Sequence, residues 1–273
     1  MPHKSREFAT LARSIRLFRA FLREQADPDL FYSVLAADSV AELGLLAPLT
    51  GARLLDVGGG PGYFADAFRA AGVSYLGLDP DVGELSARGE PAPGMVRGSG
   101  QELPVRTAAV DVCYSSNVLE HVPLPWRMAA EMVRVTKPDG LVYLSFTPWL
   151  SPHGGHETAP WHYLGGARAR ARYRERSGHE PKNRFGESLF AVSVGAALRW
   201  ARRCPDAELV AALPRYHPWW ARWVVRIPLV REVACWNLVI ILRKRARIDP
   251  GIGAAAVRGN GFRPRVGSDA TDQ

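Results

Sequence analysis

Cysteine is scarce in this chain, and no long apolar run occurs. Its 273 residues include three cysteines, Cys113, Cys204 and Cys235, scattered and odd in number. That spacing suits neither a disulfide framework nor a metal-ligand pair, and it reads as buried thiols in a reducing compartment. The longest uncharged apolar stretch, near Val233 to Leu242, is about half of what a spanning helix needs. The opening MPHKSREFATLARS has no apolar core and no small-residue cleavage site of a secretory signal. The expectation is a cytoplasmic chain. No RNA-binding module is recognisable, so nucleic acid is not an expected partner.

What is present is basic and unevenly placed. The net charge is +8, concentrated in Lys4 to Arg23, Arg168 to Arg184 and Arg215 to Arg247. Such stretches suit an anionic partner, or simply solvated helix faces. With 47% apolar residues the chain can bury a sizeable core.

Along the chain, strand and helix signals alternate. Phe8, Leu11, Ile15, Phe18 and Leu22 recur at spacings of three and four, one stripe of an amphipathic helix, with Arg6, Arg13, Arg16, Arg19 and Arg23 on the other face. Asp27-Pro28 reads as an N-cap and first helical position, opening a second helix that Gly44 can close. Apolar runs at Ala52 to Val57, Val73 to Asp79, Met95 to Gly98, Val110 to Ser116 and Leu141 to Thr147 predict five strands. A helix is expected at about Gly62 to Ala71 and another over WRMAAEMVRV. This order is that of a doubly wound parallel sheet, in which ligands bind beyond the carboxyl ends of the strands.

At one such end stands DVGGGPG. Its glycines let the backbone turn sharply and leave room for a ligand against bare amides. Asp56 closes the strand before them. Asp79 ends the next strand, where a carboxylate can take two vicinal ribose hydroxyls. A dinucleotide fingerprint, G-x-G-x-x-G, would need its third glycine at Tyr63, so that phase fails.

D-x-G-x-G-x-G, here Asp56, Gly58, Gly60 and Gly62, resembles the first motif of class I S-adenosylmethionine-dependent methyltransferases. The likeness continues in order through YLGLDPD, GSGQELPV, VDVCYSSNVLEHVP and VTKPDGLVYLSF, covering about Leu54 to Thr147. It is nearest to the branch of ubiquinone-biosynthesis-type small-molecule enzymes. The resemblance implies a Rossmann-like sheet of seven strands, order 3-2-1-4-5-7-6 with the last antiparallel, and helices on both faces. It implies S-adenosylmethionine held by Asp56, Gly58, Gly59, Gly60, Gly62, Asp79 and Pro80. The segment Ser99, Gly100 and Gln101 would meet the adenine edge, and Asn117 would sit near the methionine end. Ser99 stands where the family commonly has an Asp, a weaker acceptor for the adenine amine. The N-P-P-Y-type run of base amino-methyltransferases is missing.

Methyl transfer asks mainly that donor and acceptor be held in line. A hydroxyl acceptor adds the need for a base. NVLEH places Asn117, Glu120 and His121 together and resembles the E-x-x-E-H metal ligands of ubiquinone O-methyltransferases. Asn117 replaces the first Glu, however, and Glu120 and His121 can equally cap a helix start. The loop PWLSPHGGHETAPWHYLGG offers His153, His156, Glu157 and His162, walled by Trp149 and Trp161. Its H-x-x-H is on a glycine loop instead of the helix a metal site needs, so no metal is expected. His156, Glu157 and His121 are the expected catalytic groups, with His156 as base.

Residues 1–248 are expected to form one methyltransferase domain, with N-terminal helices at 1–47 and a substrate-side insertion at 148–205. Residues 249–273 read as a disordered tail. The acceptor is expected to be a small molecule or lipid- or glycan-linked, methylated on oxygen. The alternatives are a nicotinamide-dependent oxidoreductase and a silent S-adenosylmethionine-binding protein. The Trp/Arg segment HPWWARWVVRIPLVRE and the first helix are a candidate peripheral membrane contact.

Overall fold

The structure is a computed structural model that describes residues 6–24 and 26–246. The expected tail at 249–273 lies outside the described residues. Helices α1 (Leu11–Phe21) and α2 (Pro28–Gly44) precede the sheet. Then follow β1 (Arg53–Val57), α3 (Ala65–Ala70), β2 (Ser74–Asp79), α4 (Val82–Leu85) and β3 (Met95–Arg97). After them come β4 (Val110–Ser116), α5 (Pro125–Val135), β5 (Thr136–Phe146), α6 (Gly166–Ser177) and α7 (Val194–Arg203). Last are β6 (Ala207–Pro214), a 3-10 stretch at Trp219–Arg226, α8 (Val230–Ala234) and β7 (Leu238–Lys244).

The strands form one sheet ordered β3-β2-β1-β4-β5-β7-β6. The first five run parallel, and β7 is antiparallel to both β5 and β6. This is the expected topology. Central strands covered on both faces need apolar side chains on both, which is why Leu54, Leu55 and Val57 are all buried in β1. One core joins the sheet to α5 and α7 through Met128, Met132 and Leu198. The other joins it to α1, α2 and α3 through Leu17, Phe31 and Phe68. Removing one such aromatic costs about 3–5 kcal/mol.

Two expected elements differ. α1 is rotated from the face its sequence stripe suggests: Leu11, Ile15 and Leu22 are exposed, while Arg13, Ser14, Leu17 and Ala20 are buried. The cause is an ion pair. Arg13 donates to both oxygens of Asp38 on α2, from Nε at 2.7 Å and Nη2 at 2.6 Å. A charge paired and bonded in this way can be buried where a periodicity count would put it in water. The amphipathic pattern of ESLFAVSVGAALRWARR predicts a helix across it, yet the helix begins only at Val194, where Ser193 caps it by accepting from Ala196 N. The residues before it instead run as a strap past the carboxyl ends of β4 and β5, with Phe190 N donating to Glu120 O and Trp149 N to Val192 O.

Candidate active site

The glycine loop leaves β1 beside the end of β2, and Gly58 N and Gly59 N donate to Leu78 O. Gly58, Gly60 and Gly62 all have positive φ, a conformation costly for other residues. Their surroundings differ. A Cβ on Gly58 would lie 2.5 Å from Val118, and one on Gly62 would lie 2.9 Å from Ala92. A Cβ on Gly60 would meet nothing within 4 Å. The expectation that the whole loop is bare for a ligand therefore narrows. Gly58 and Gly62 are glycines because protein packs against them, Gly59 faces inward toward Asp56 and Tyr75, and Gly60 alone opens outward.

Two carboxylates frame that opening. Asp79 accepts from Gly60 N at 3.1 Å on one oxygen and from Asp81 N at 2.9 Å on the other. Each oxygen keeps a further lone pair, as two vicinal hydroxyls require. Burial raises the Asp79 pKa, opposed by those two N–H groups. Asp56 is fully buried and takes the Tyr75 hydroxyl at 2.7 Å. Burial pushes it up to about 7, with the neighbouring Asp79 charge adding to the rise. Pro80 and Ser99 are exposed on the rim. Ser99 Oγ accepts from Gln101 N at 3.2 Å, and Gln101 O takes Arg127 Nε at 3.0 Å. Gly100 is pressed against the chain, since its Cβ would lie 2.8 Å from Val57.

Asn117 adopts φ +58 at the end of β4, bonded by its N–H to Ser145 O. Its side-chain oxygen accepts from Asn237 Nδ2 at 2.8 Å. The next turn brings Glu120 and His121 under the loop that follows β5. Glu120 is buried, and its Oε1 accepts from Thr147 N at 2.8 Å. Its Oε2 has no partner. Burial raises its pKa. His121 Nδ1 lies 2.8 Å from Ser188 O on the strap. The His156 ring lies 5.1 Å from the His121 ring, tilted by 57°, with its Nε2 buried and unpartnered. Glu157 Oε1 accepts from Asn183 Nδ2 at 2.9 Å, leaving Oε2 unpartnered.

Here the structure departs from the expected chemistry of His156. Burial, with His121, His153 and His162 adding to it, lowers this imidazole to about 3. It is neutral near pH 7 but too weakly basic to match the role of base well. His162 is buried against Ser151 O, and His153 packs on Phe21 and Trp236. Both are structural here.

Three groups in this chamber escaped the sequence reading because they come from distant segments. Glu24, after α1, faces the same space. Its pKa is raised by burial, and the Glu120 and Glu157 charges add to that rise. Tyr32 donates to Glu24 at 3.2 Å and stacks on Tyr63 at 4.3 Å, laying α2 over the glycine loop. Arg215 is fully buried beneath the floor, donating to Ser116, Ser145 and Ser39.

Comparison with known proteins agrees with this geometry. Residues 55–144 match a methyltransferase domain family model. An uncharacterized methyltransferase of Mycobacterium marinum is 54% identical over 247 residues, spanning 87% of this chain and 96% of its own length. One from Mycobacterium tuberculosis is 55% identical, over 86% of this chain and 95% of its own. Among solved structures, an S-adenosylmethionine-dependent methyltransferase from Mesorhizobium loti superposes with a TM-score of 0.53. It is 22% identical, covering 76% of this chain and 97% of that one. The chain belongs to the class I S-adenosylmethionine-dependent methyltransferases, and S-adenosylmethionine is its methyl donor. The open Gly60 backbone and the two spare lone pairs of Asp79 fit that donor.

Proposed function

We propose that the protein transfers the methyl group to an oxygen of a small or lipid-linked acceptor. The carrying observation is the row of buried, unpartnered acceptor atoms, Glu120 Oε2, His156 Nε2 and Glu157 Oε2. Polar atoms so placed are costly unless a donor or a cation arrives to meet them. Val118, against which Gly58 packs, lies two residues before Glu120, so this row adjoins the cofactor loop. An acceptor hydroxyl there forms the new O–C bond as the S–C bond of the sulfonium breaks. That electron pair stays on sulfur, giving S-adenosylhomocysteine, and the hydroxyl proton passes to Glu157, which Asn183 holds in place.

The test is a mass-spectrometric search for a +CH2 product with phenols, alcohols and cell extract. Glu157→Gln should lower turnover by roughly 10²–10⁴-fold with S-adenosylhomocysteine affinity unchanged. A product methylated on nitrogen or carbon, or full activity in the variant, would remove the oxygen assignment.

A second observation favours the lipid-linked form of the acceptor. Trp219, Trp220, Trp223 and Leu229 are exposed, as are Leu11 and Ile15 on α1. The two faces adjoin: Trp219 N donates to Ala9 O, and the Arg6 guanidinium lies 4.8 Å over the Trp219 ring. The far end of α1 carries Phe21 to within 4.7 Å of His153, at the acceptor loop. A bilayer touching the Trp face would present its headgroups near the chamber. No helix among the described residues is long and apolar enough to cross a membrane. Co-sedimentation with anionic vesicles, lost in Trp220→Ala/Trp223→Ala, is the expected outcome. No binding to such vesicles would restrict the acceptor to a soluble one.

A further inference from the structure

Two motifs, each incomplete in the sequence, meet in the fold. NVLEH lacks the first Glu of a metal-binding E-x-x-E-H, and the histidine loop after β5 lacks a helix to fix its spacing. The strap and the loop bring the missing parts together. We propose that Glu120, His121 and His156 hold a divalent first-row transition-metal ion, on which the acceptor oxygen is bound. The binding site stands on its own geometry; its role toward the acceptor rests on the O-methyl reading above.

Four observations carry it. One ligand atom from each of the three residues lies within 4.8 Å of the others. Bonds of 2.0–2.2 Å would set neighbouring ligand atoms about 3–3.5 Å apart, so side-chain rotation of roughly 1.5 Å closes the site. Second, Glu120 Oε2 and His156 Nε2 are buried and unpartnered, though a direct hydrogen bond would satisfy both if nothing else were meant to lie between them. Third, the first residues are oriented from behind. Thr147 N fixes the other Glu120 oxygen. The Ser188 carbonyl can only accept, so the bond at His121 Nδ1 puts the hydrogen there and leaves Nε2 as a lone pair. Such outer partners are the usual mark of a metal-ligating imidazole. Fourth, Glu157, next in the chain to His156, keeps a further buried and unpartnered oxygen, Oε2.

His156 itself sits at φ +48, a strained position for a residue with a Cβ and one that recurs at functional sites. Two imidazoles with one carboxylate also select the ion. Oxygen-rich sets suit Mg²⁺ and Ca²⁺, whereas imidazole suits Zn²⁺, Fe²⁺, Co²⁺ or Ni²⁺. Replacing the first Glu by Asn117, whose oxygen is taken by Asn237, and supplying His156 instead changes the metal as well as the ligand.

Co²⁺ titrated into the chelator-stripped full chain tests this by visible absorption and calorimetry, without turnover. The expected result is one equivalent bound with ligand-field bands. His156→Ala and Glu120→Gln should each weaken it by at least about tenfold while S-adenosylhomocysteine binding shows both variants folded. His179→Ala, at an exposed histidine, should change nothing. Identical spectra and affinity in both site variants would overturn the site, as would failure to bind Co²⁺. Mg²⁺ displacing Co²⁺ at equal concentration would overturn the choice of metal. One bound Co²⁺ with no O-methyl product from any acceptor would sink the oxygen reading and support the site.

Discussion

The cofactor half and the acceptor half of this site are built from different materials. Around Gly60 and Asp79 the partners are main-chain N–H groups at the ends of adjacent parallel strands, β1 and β2. Around Glu120 and His156 the groups, side-chain and main-chain alike, are gathered from after β4, after β5 and the strap before α7. Backbone amides at a strand end are available whatever the neighbouring side chains are, so the first half needs only glycines and a carboxylate. The second half needs several distant segments to arrive together. One half is a property of a local motif, and the other is a property of the finished fold.

The largest expected effect tests the clamp that holds α1 and α2 in place beside the sheet. Asp38 is buried and pairs with Arg13, while Arg13 Nη1 also donates to Arg215 O. Asp38→Ala leaves the Arg13 charge uncompensated, and loss of a buried partner costs about 3–5 kcal/mol. Chemical denaturation should show that loss. A change below about 1 kcal/mol would mean that α1 and α2 are not clamped to the sheet, and the comparison would lose its physical basis.

Next is the cofactor half itself. Asp79→Ala removes the charged acceptor offered to two hydroxyls, and S-adenosylhomocysteine affinity should fall by about 1.5–3 kcal/mol. Calorimetry that shows unchanged affinity would break the assignment. Smaller per pH unit is an effect at Asp56. Its folded pKa of about 7 stands above the unfolded value of 3.8, so between these the folded chain binds more protons. Its contribution is fully present below the unfolded pKa and is lost as pH rises through 7. The unliganded protein should lose stability by at most about 1.4 kcal/mol per pH unit in that window. Asp56→Asn should flatten this slope. An unchanged slope would assign it to other groups.

The same contrast decides what was legible in the sequence. The five parallel strands and the Asp56-to-Asp79 frame are readable because each rests on short-range signals: apolar runs, glycines and a carboxylate at a strand end; the order of the seven strands follows from the family resemblance. The α1 face was misread because periodicity cannot see that Arg13 finds Asp38 25 residues away. The glycines at 58 and 62 look like ligand space in sequence, yet their constraint comes from Val118 and Ala92. Glu24 had no local mark at all. His156 was found by residue type, but its depressed basicity depends on burial that no spacing reveals.

Ser99→Asp carries the smallest effect and sharpens the comparison most. If the cofactor half is held chiefly by main chain, exchanging Ser99, where this chain departs from the family's adenine contact, should matter little. Ser99 is exposed, and its Oγ already accepts from Gln101 N. A carboxylate can take the same N–H and still offer a second oxygen to the adenine amine, with the added strength of a charged acceptor. Because Ser99 is exposed, screening keeps the gain small, and affinity for S-adenosylhomocysteine should stay equal or improve by less than about 1 kcal/mol. Calorimetry decides between two outcomes. A loss of binding in a folded Ser99→Asp protein would show that adenine lies elsewhere and that a side chain, not the backbone, governs this half too.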